Sequence, residues 1–239
     1  MRIASRHVDY SHGGAALQGY FAIDATQFGP RPAVLVSHAW AGCTEFEHRW
    51  ADRLAGLGYA GFAIDNYGKG VVGKSPDENR ALMTPLVEDR GKLQARMQAA
   101  VEAVKTQPEV DATRIAAIGF CFGGLCVLDL ARAGADIRGV ASFHGLFTPP
   151  GNTKGRKIKA KVAAFHGFDD PMVPHQAIID LGIELKDAGA DWQIHAYGGV
   201  MHSFTNPEAN DPAFGTVWDR RAADRSWASL QVFLKECFA

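Results

Sequence analysis

Gly119-Phe120-Cys121-Phe122-Gly123-Gly124 lies between a strand expected at Arg114–Ile118 and a stretch with helical character, Phe122–Ala133, that stops at Gly134. A strand that ends in a glycine-flanked turn and feeds straight into a helix holds the central side chain at the tip of a sharp, strained corner. The flanking positions must be glycine because side chains there would clash. The residue at the tip is Cys121. The helix N-terminus behind it favours negative charge, both on sulfur and on an oxyanion. The N–H of Phe122, one residue on, is placed to donate to that oxyanion. The competing reading is a small packing cysteine in a glycine-rich turn; strand before and helix after favour the nucleophile.

Outward from this corner the chain alternates. Ile3–Tyr10 and Ala16–Ile23 flank the turn signal Ser11-His12-Gly13-Gly14 and read as a hairpin. Ala33–Ser37 is short and fully apolar up to Ser37, as a strand covered on both faces should be. A helix from Thr44 to Leu57, a strand at Tyr59–Ile64 and a long helix from Pro85 to Thr106 are expected next. After the corner come strands at Val140–Phe143 and Val162–Phe165, a helix at His175–Ala188, a strand at Trp192–Tyr197 and a last helix at Val217–Phe238. Strands alternating with helices imply an α/β fold with a mostly parallel central sheet and helices on both faces. We expect one domain over residues 1–239. The Pro-, Gly- and Lys-rich stretch Thr148–Lys159 reads as a surface loop.

The whole composition narrows the function. The chain has 239 residues, 47% hydrophobic and 21% charged, with 25 Lys and Arg against 26 Asp and Glu. That is globular composition. A net charge of −1 argues against nucleic acid as a partner and against a polybasic membrane patch. The longest uncharged run near the middle, Ile115–Leu128, has 14 residues, short of the ~20 that span a bilayer. The N-terminus lacks the apolar core of a signal peptide. Cys43, Cys121, Cys126 and Cys237 have no pairing or zinc-like spacing, and we expect reduced thiols in a cytoplasm. No residue group has metal-ligand spacing and no glycine-rich loop opens as a nucleotide site, so no metal or cofactor is expected.

In a parallel sheet chemistry sits beyond the carboxyl ends of the strands. Two such loops complete a set with Cys121. His166-Gly167-Phe168-Asp169-Asp170-Pro171 follows one strand, and either aspartate suits the task of orienting a histidine. Gly198-Gly199-Val200-Met201-His202-Ser203-Phe204 follows the last strand, and His202 is the candidate base. The order nucleophile, acid, histidine, with spacings of 49 and 32 residues to Asp170 and His202, is that of the α/β-hydrolases. In that fold the loop after Ala33–Ser37, His38-Ala39-Trp40-Ala41-Gly42, supplies a second oxyanion donor, here the N–H of Trp40. His38, His144 and His166 end strands and are candidates for the pocket wall or for structural hydrogen bonds, and Tyr67 for the pocket. His195 lies within a strand and reads as packing. Thr44 with Glu47 three residues on reads as a helix capping box, Asp65 as a turn cap, and Cys126 as a buried packing residue.

Together these residues resemble the dienelactone hydrolase family (carboxymethylenebutenolidase-like α/β-hydrolases), from about Leu17 to the last helix. Gly119–Gly124 matches the family's G-x-C-x-G-G corner. Asp170-Pro171-Met172-Val173-Pro174 matches its Asp-x-x-Val-Pro, which selects Asp170. Gly199–Phe204 matches its Gly-x-x-His-x-Phe. The resemblance implies a triad of Cys121, Asp170 and His202, an ester or lactone as small-molecule substrate, and a thioester acyl-enzyme. It implies a pocket bordered by His38, Ala39, Tyr67, His144, Phe204 and Asn206. The chain departs from the dienelactone-cleaving members at two points: Ala39 stands where they carry a Glu beside the nucleophile, and Asn206 where they carry an Arg for the substrate carboxylate. A short-chain carboxylesterase or thioesterase and a catalytically silent ligand-binding homologue are the alternatives.

Overall fold

Gly13 and Gly14, with φ of 57° and 78°, turn β1 (Ile3–His12) back into β2 (Ala15–Asp24). Two residues with positive φ suit the right-handed twist of an antiparallel hairpin. The computed structural model describes residues 1–239 as two compact units, Met1–Ile118 and Gly119–Ala239.

In the first unit β2 pairs antiparallel with β4 (Ala60–Ile64), and β4 pairs parallel with β3 (Arg31–Ser37). The strand order is β1-β2-β4-β3-β5, where β5 (Val110–Phe120) runs out of the unit at its last two residues. Ala33–Val36 and all of β4 are buried, so these strands read as unbroken apolar runs. Helix α1 (Glu45–Gly56) links β3 to β4. Its start is the expected capping box: Thr44 Oγ1 accepts from the Phe46 N–H, and Glu47 accepts from the Thr44 N–H at 2.8 Å. Gly58 takes φ 92° just past its end.

The long helix expected from Pro85 to Thr106 is two helices, α2 (Pro76–Glu88) and α3 (Arg90–Lys105). Pro85 does not start a helix; it lies inside α2. The start signal is Ser75-Pro76-Asp77-Glu78: the Ser75 hydroxyl accepts from the Glu78 N–H, and Pro76 has no N–H to leave unsatisfied. The chain breaks at Asp89, which ends α2 with φ −108° and ψ 82° and caps α3 by accepting from the Lys92 N–H.

The second unit holds the end of β5, then α4 (Phe122–Arg132), β6 (Gly139–Phe143), β7 (Lys161–Gly167), α5 (His175–Asp187) and β8 (Trp192–Tyr197). A two-stranded ribbon of β9 (Asn210–Asp211) and β10 (Thr216–Val217) precedes α6 (Arg220–Phe238). The expectation that the last helix begins at Val217 is corrected by that ribbon, which takes Val217; Asp219 caps the helix by accepting from the Ala222 N–H. Strands β6, β7 and β8 are consecutive and parallel, so their carboxyl ends lie together. Phe120 stacks on Phe143 at 5.0 Å between ring centres and Phe143 meets Phe165 at a tilt, 4.8 Å away, all buried. Each such ring removes apolar surface worth about 1.5–3 kcal/mol, which makes a stiff floor under the loops that follow. No helix is long and apolar enough to cross a membrane.

Candidate active site

Cys121 has φ 53° and ψ −115°, one of three non-glycine residues with positive φ. Such a conformation costs about 1–3 kcal/mol and persists only where the surroundings hold it. Here the Cys121 N–H donates to Phe143 O at 3.0 Å, and its carbonyl accepts from the Gly124 and Leu125 N–H groups at 3.0 and 3.3 Å. Gly119 is required by close approach: a Cβ there would overlap the Gly123 carbonyl oxygen. Cys121 is half-exposed at the start of α4, while Cys126, on the same helix, is buried. The four cysteines form no disulfide.

The loops after β7 and β8 are drawn together at Gly167, where a Cβ would come within 2.6 Å of Met201 O and closer still to Val200 O. The Phe168 N–H donates to Tyr197 O and the Asp169 N–H to Val200 O, at 2.9 and 3.0 Å. This seam brings Asp170 to His202. Asp170 Oδ2 lies 2.7 Å from His202 Nδ1, and Oδ1 accepts from the Met172 N–H at 2.8 Å. Both side chains are buried. Asp169, the other aspartate of the pair, is exposed.

His202 is also held by its backbone. Its N–H donates to Gly215 O and its carbonyl accepts from the Val217 N–H, both at 3.0 Å, so it extends the β9–β10 ribbon. Burial pulls its pKa down. Its interaction with Cys121, the hydrogen bonds to Asp170 and Cys121 and the Asp170 charge act the other way and win, leaving it raised to about 10. Nδ1 is taken by Asp170, which leaves Nε2 as the nitrogen available to sulfur and substrate. A buried carboxylate that fixes the tautomer of a histidine coupled to a half-exposed thiol is the arrangement needed to move a proton between sulfur and a leaving group.

The other candidates fall in different places. His144 is buried and accepts the Cys121 N–H at Nδ1, 3.2 Å away. Phe204 is fully buried and packs edge-on to His144 at 5.3 Å. As placed, both support the site from inside instead of facing a substrate. Asn206 is half-exposed, with its N–H donating to Ser203 O. His166 is buried against Phe147, with ring centres 5.0 Å apart, and burial lowers its pKa to about 4. His195 packs on Phe165 and meets Gln193 Oε1 at 2.8 Å.

In the first unit, His38 is buried, with Nδ1 2.6 Å from Ala39 O and Nε2 accepting the Asn66 N–H. It braces the turn from inside. Tyr67 is half-buried and donates from its hydroxyl to Trp40 O at 2.9 Å. Ala39 and Trp40 are half-exposed. Besides capping α1, Glu47 accepts the Ala39 N–H at 3.3 Å, so the capping box also grips the loop. Asp65 accepts from the Tyr67 and Gly68 N–H groups, as a turn cap does.

Sequence reasoning offered a structural hydrogen bond for His144 without its partners, Cys121 and Thr205, and missed the β9–β10 ribbon. The one local sign was His144 at the end of an apolar strand. A cavity of about 740 Å³ lies elsewhere, lined by Arg132, Phe147, Ile158, Leu181 and Glu184 under the loop that begins at Thr148, and none of the triad lines it.

Comparison with known proteins assigns the family. Residues 17–238 match the model of the dienelactone hydrolase family. Protein usf of Aquifex pyrophilus is 29% identical, over 96% of this chain and 97% of its own. A protein of Aquifex aeolicus, provisionally named a carboxymethylenebutenolidase, is 30% identical over 95% and 96%. Among solved structures, m3DLH is 35% identical with TM-score 0.93 over 99% of both chains. The dienelactone hydrolase-like promiscuous phosphotriesterase P91 from metagenomic libraries is 35% identical with TM-score 0.93 over 100% of both. Alternating strands and helices, a mostly parallel sheet and a family match over nearly all its length agree: the chain has the α/β-hydrolase fold and belongs to the dienelactone hydrolase family of ester and lactone hydrolases.

Proposed function

We propose that this chain, acting as a single hydrolase domain, cleaves a small ester or lactone through Cys121, His202 and Asp170. The observation that carries the reading is the buried Asp170–His202 pair, with His202 electrostatically coupled to Cys121. His202 takes the Cys121 proton and Asp170 compensates its charge. The thiolate attacks the carbonyl carbon, and the resulting oxyanion is held by the N–H of Phe122 and, on the family's pattern, the N–H of Trp40. Collapse breaks the C–O bond, and the leaving alkoxide takes the proton from His202, giving a thioester. Water, deprotonated by His202, attacks that thioester; the acid leaves and the sulfur is restored.

Thiolate is itself a good leaving group, so a tetrahedral intermediate expels it in preference to an amine. Activated esters and enol lactones are therefore the substrates and amides are not. Ala39 and Asn206 supply neither the carboxylate nor the guanidinium of the dienelactone-cleaving members, which favours an uncharged substrate. The absence of disulfides supports a cytoplasmic setting.

A second reading, hydrolysis of aryl phosphotriesters, rests on the likeness to P91; the same thiolate would attack phosphorus with aryloxide leaving. One experiment tests both: initial rates on a small activated aryl ester and an aryl phosphotriester, wild type beside Cys121→Ala. Ester turnover that vanishes in the variant is expected. Turnover retained in the variant would remove Cys121 from the chemistry.

A further inference from the structure

His144 joins the two loops that the triad reading requires to be held together. It directly follows β6, with φ 38° and its own N–H donating to Phe165 O at 2.8 Å. Its ring is buried. Nδ1 lies 3.2 Å from the Cys121 nitrogen, whose N–H is shared with Phe143 O at 3.0 Å; that nitrogen is a donor, so Nδ1 must accept. The proton of the neutral ring is then on Nε2, which faces Thr205 Oγ1 at 2.8 Å and donates to it. Thr205 lies three residues past His202. The ring also stands edge-on to His202, with centres 5.0 Å apart and planes at 64°.

We infer that His144 is a positioning residue: as a neutral ring protonated at Nε2 only, it ties the Cys121 corner to the loop carrying His202 and fixes the sulfur against the base. Burial, then the charges of His202 and His166, hold its pKa well below the usual histidine value, so it does not compete for the Cys121 proton. A buried ring beneath the corner touches no substrate. Its effect is on alignment, and a misplacement of about 1 Å at reacting groups costs about 100-fold in rate. The inference rests on the hydrolase reading above.

Thr205→Val is the discriminating variant. It keeps the shape of Thr205 and removes the acceptor for Nε2–H. The ring can then place its proton on Nδ1, where it meets the Cys121 N–H donor to donor. We expect kcat for an activated ester to fall about 10- to 100-fold with KM within about twofold, and Thr205→Ser to restore most of the loss. The ¹⁵N spectrum of histidine-labelled wild type should show His144 neutral and protonated at Nε2 at neutral pH, a pattern lost in Thr205→Val. His144→Asn is the companion: Asn tolerates the left-handed conformation, and its Oδ1 accepts the Cys121 N–H without reaching Thr205, so it should be intermediate.

Wild-type kcat in Thr205→Val would overturn the inference. So would a loss that Ser does not repair, or a His144 ring protonated at Nδ1 or titrating near neutrality. If only Thr205→Val is silent while Cys121→Ala is dead, the positioning role alone falls. If Cys121→Ala keeps wild-type turnover, the triad reading falls and this inference with it.

Discussion

Asp170 and His202, 32 residues apart, share a hydrogen bond of 2.7 Å between side chains that are almost wholly shielded from water. Asp170 cannot turn away, because its other oxygen holds the Met172 N–H. His202 cannot turn away either, because its backbone is part of the β9–β10 ribbon. The pair is thus oriented before any substrate arrives, and reorganisation need not be supplied during the reaction.

Asp170→Asn keeps the shape and the Met172 hydrogen bond but removes the charge and admits the wrong imidazole tautomer. We expect kcat to fall about 10²- to 10⁴-fold, with KM changed little. Steady-state kinetics on an activated aryl ester, with circular dichroism to confirm folding, checks this. A loss below about fivefold would detach Asp170 from the mechanism.

The raised His202 pKa has a pH signature. An ordinary histidine titrates near 6.5; this one is raised to about 10. At this group the folded protein therefore holds more proton than the unfolded chain between those values. The stabilisation is fully present below pH about 6.5 and is lost as pH rises through about 10. Denaturant unfolding should show wild-type stability declining with pH across this window, and His202→Ala should flatten the decline. Alkylation of Cys121 by iodoacetamide gives the chemical counterpart. Its pH profile should differ between wild type and His202→Ala, because Cys121 is the first of the influences that raise the His202 pKa. Identical profiles would uncouple the two residues.

What the sequence revealed and what it hid have separate causes. The corner at Gly119–Gly124 and the loops after β7 and β8 were legible because each is a local pattern: an apolar run, a glycine or proline break, one reactive side chain. The choice of Asp170 over Asp169 was not local. Both sit in the same turn; the likeness to the family's Asp-x-x-Val-Pro selected Asp170, and the seam at Gly167 is what brings it to His202. The split of one expected helix into α2 and α3 was hidden because Pro85 resembles a start signal, while the working signals are the Ser75 and Asp89 caps. The His144 bridge spans 23 residues to Cys121 and 61 to Thr205. No window along the chain contains it.

Gly167→Ala tests the seam. The added methyl would press on Val200 O and Met201 O, backbone atoms that cannot swing aside. The loops after β7 and β8 must part, and Asp170 and His202 with them. We expect a loss of about 1–3 kcal/mol, the usual range for overpacking, together with at least a tenfold fall in kcat. Urea unfolding and ester kinetics on the same preparation decide it. Full activity would mean that the seam does not set the pair.

Arg132 offers a prediction away from the site. Its buried guanidinium binds Glu184 through two nitrogens at 2.8 and 2.7 Å, Asp129 at 3.3 Å, and the Phe147 carbonyl at 2.8 Å. Removing it leaves the fully buried Asp129 without this partner. Arg132→Met should cost about 3–5 kcal/mol, and Arg132→Lys should recover little, since an ammonium cannot make the paired contact to Glu184. Both should hasten proteolysis in the loop from Thr148 to Lys159, whose first carbonyl Arg132 also holds. Stability within about 1 kcal/mol of wild type in Arg132→Met would show that the cluster adds nothing net.

The strain at Cys121 predicts a trade between stability and activity. Its φ of 53° is unfavourable for any residue with a Cβ and easy for glycine. Cys121→Ala keeps the strain; Cys121→Gly releases it, at the cost of a more flexible unfolded chain. On balance Cys121→Gly should be the more stable of the two by about 1 kcal/mol, although neither hydrolyses the ester. If Cys121→Ala matches or exceeds Cys121→Gly in urea unfolding, the corner is not strained enough to matter, and the hydrogen bonds from Cys121 to Phe143 and His144 cannot be serving to hold a costly conformation. If Cys121→Gly is the more stable, the protein keeps a less stable corner in order to present its sulfur, and those hydrogen bonds are what hold it there.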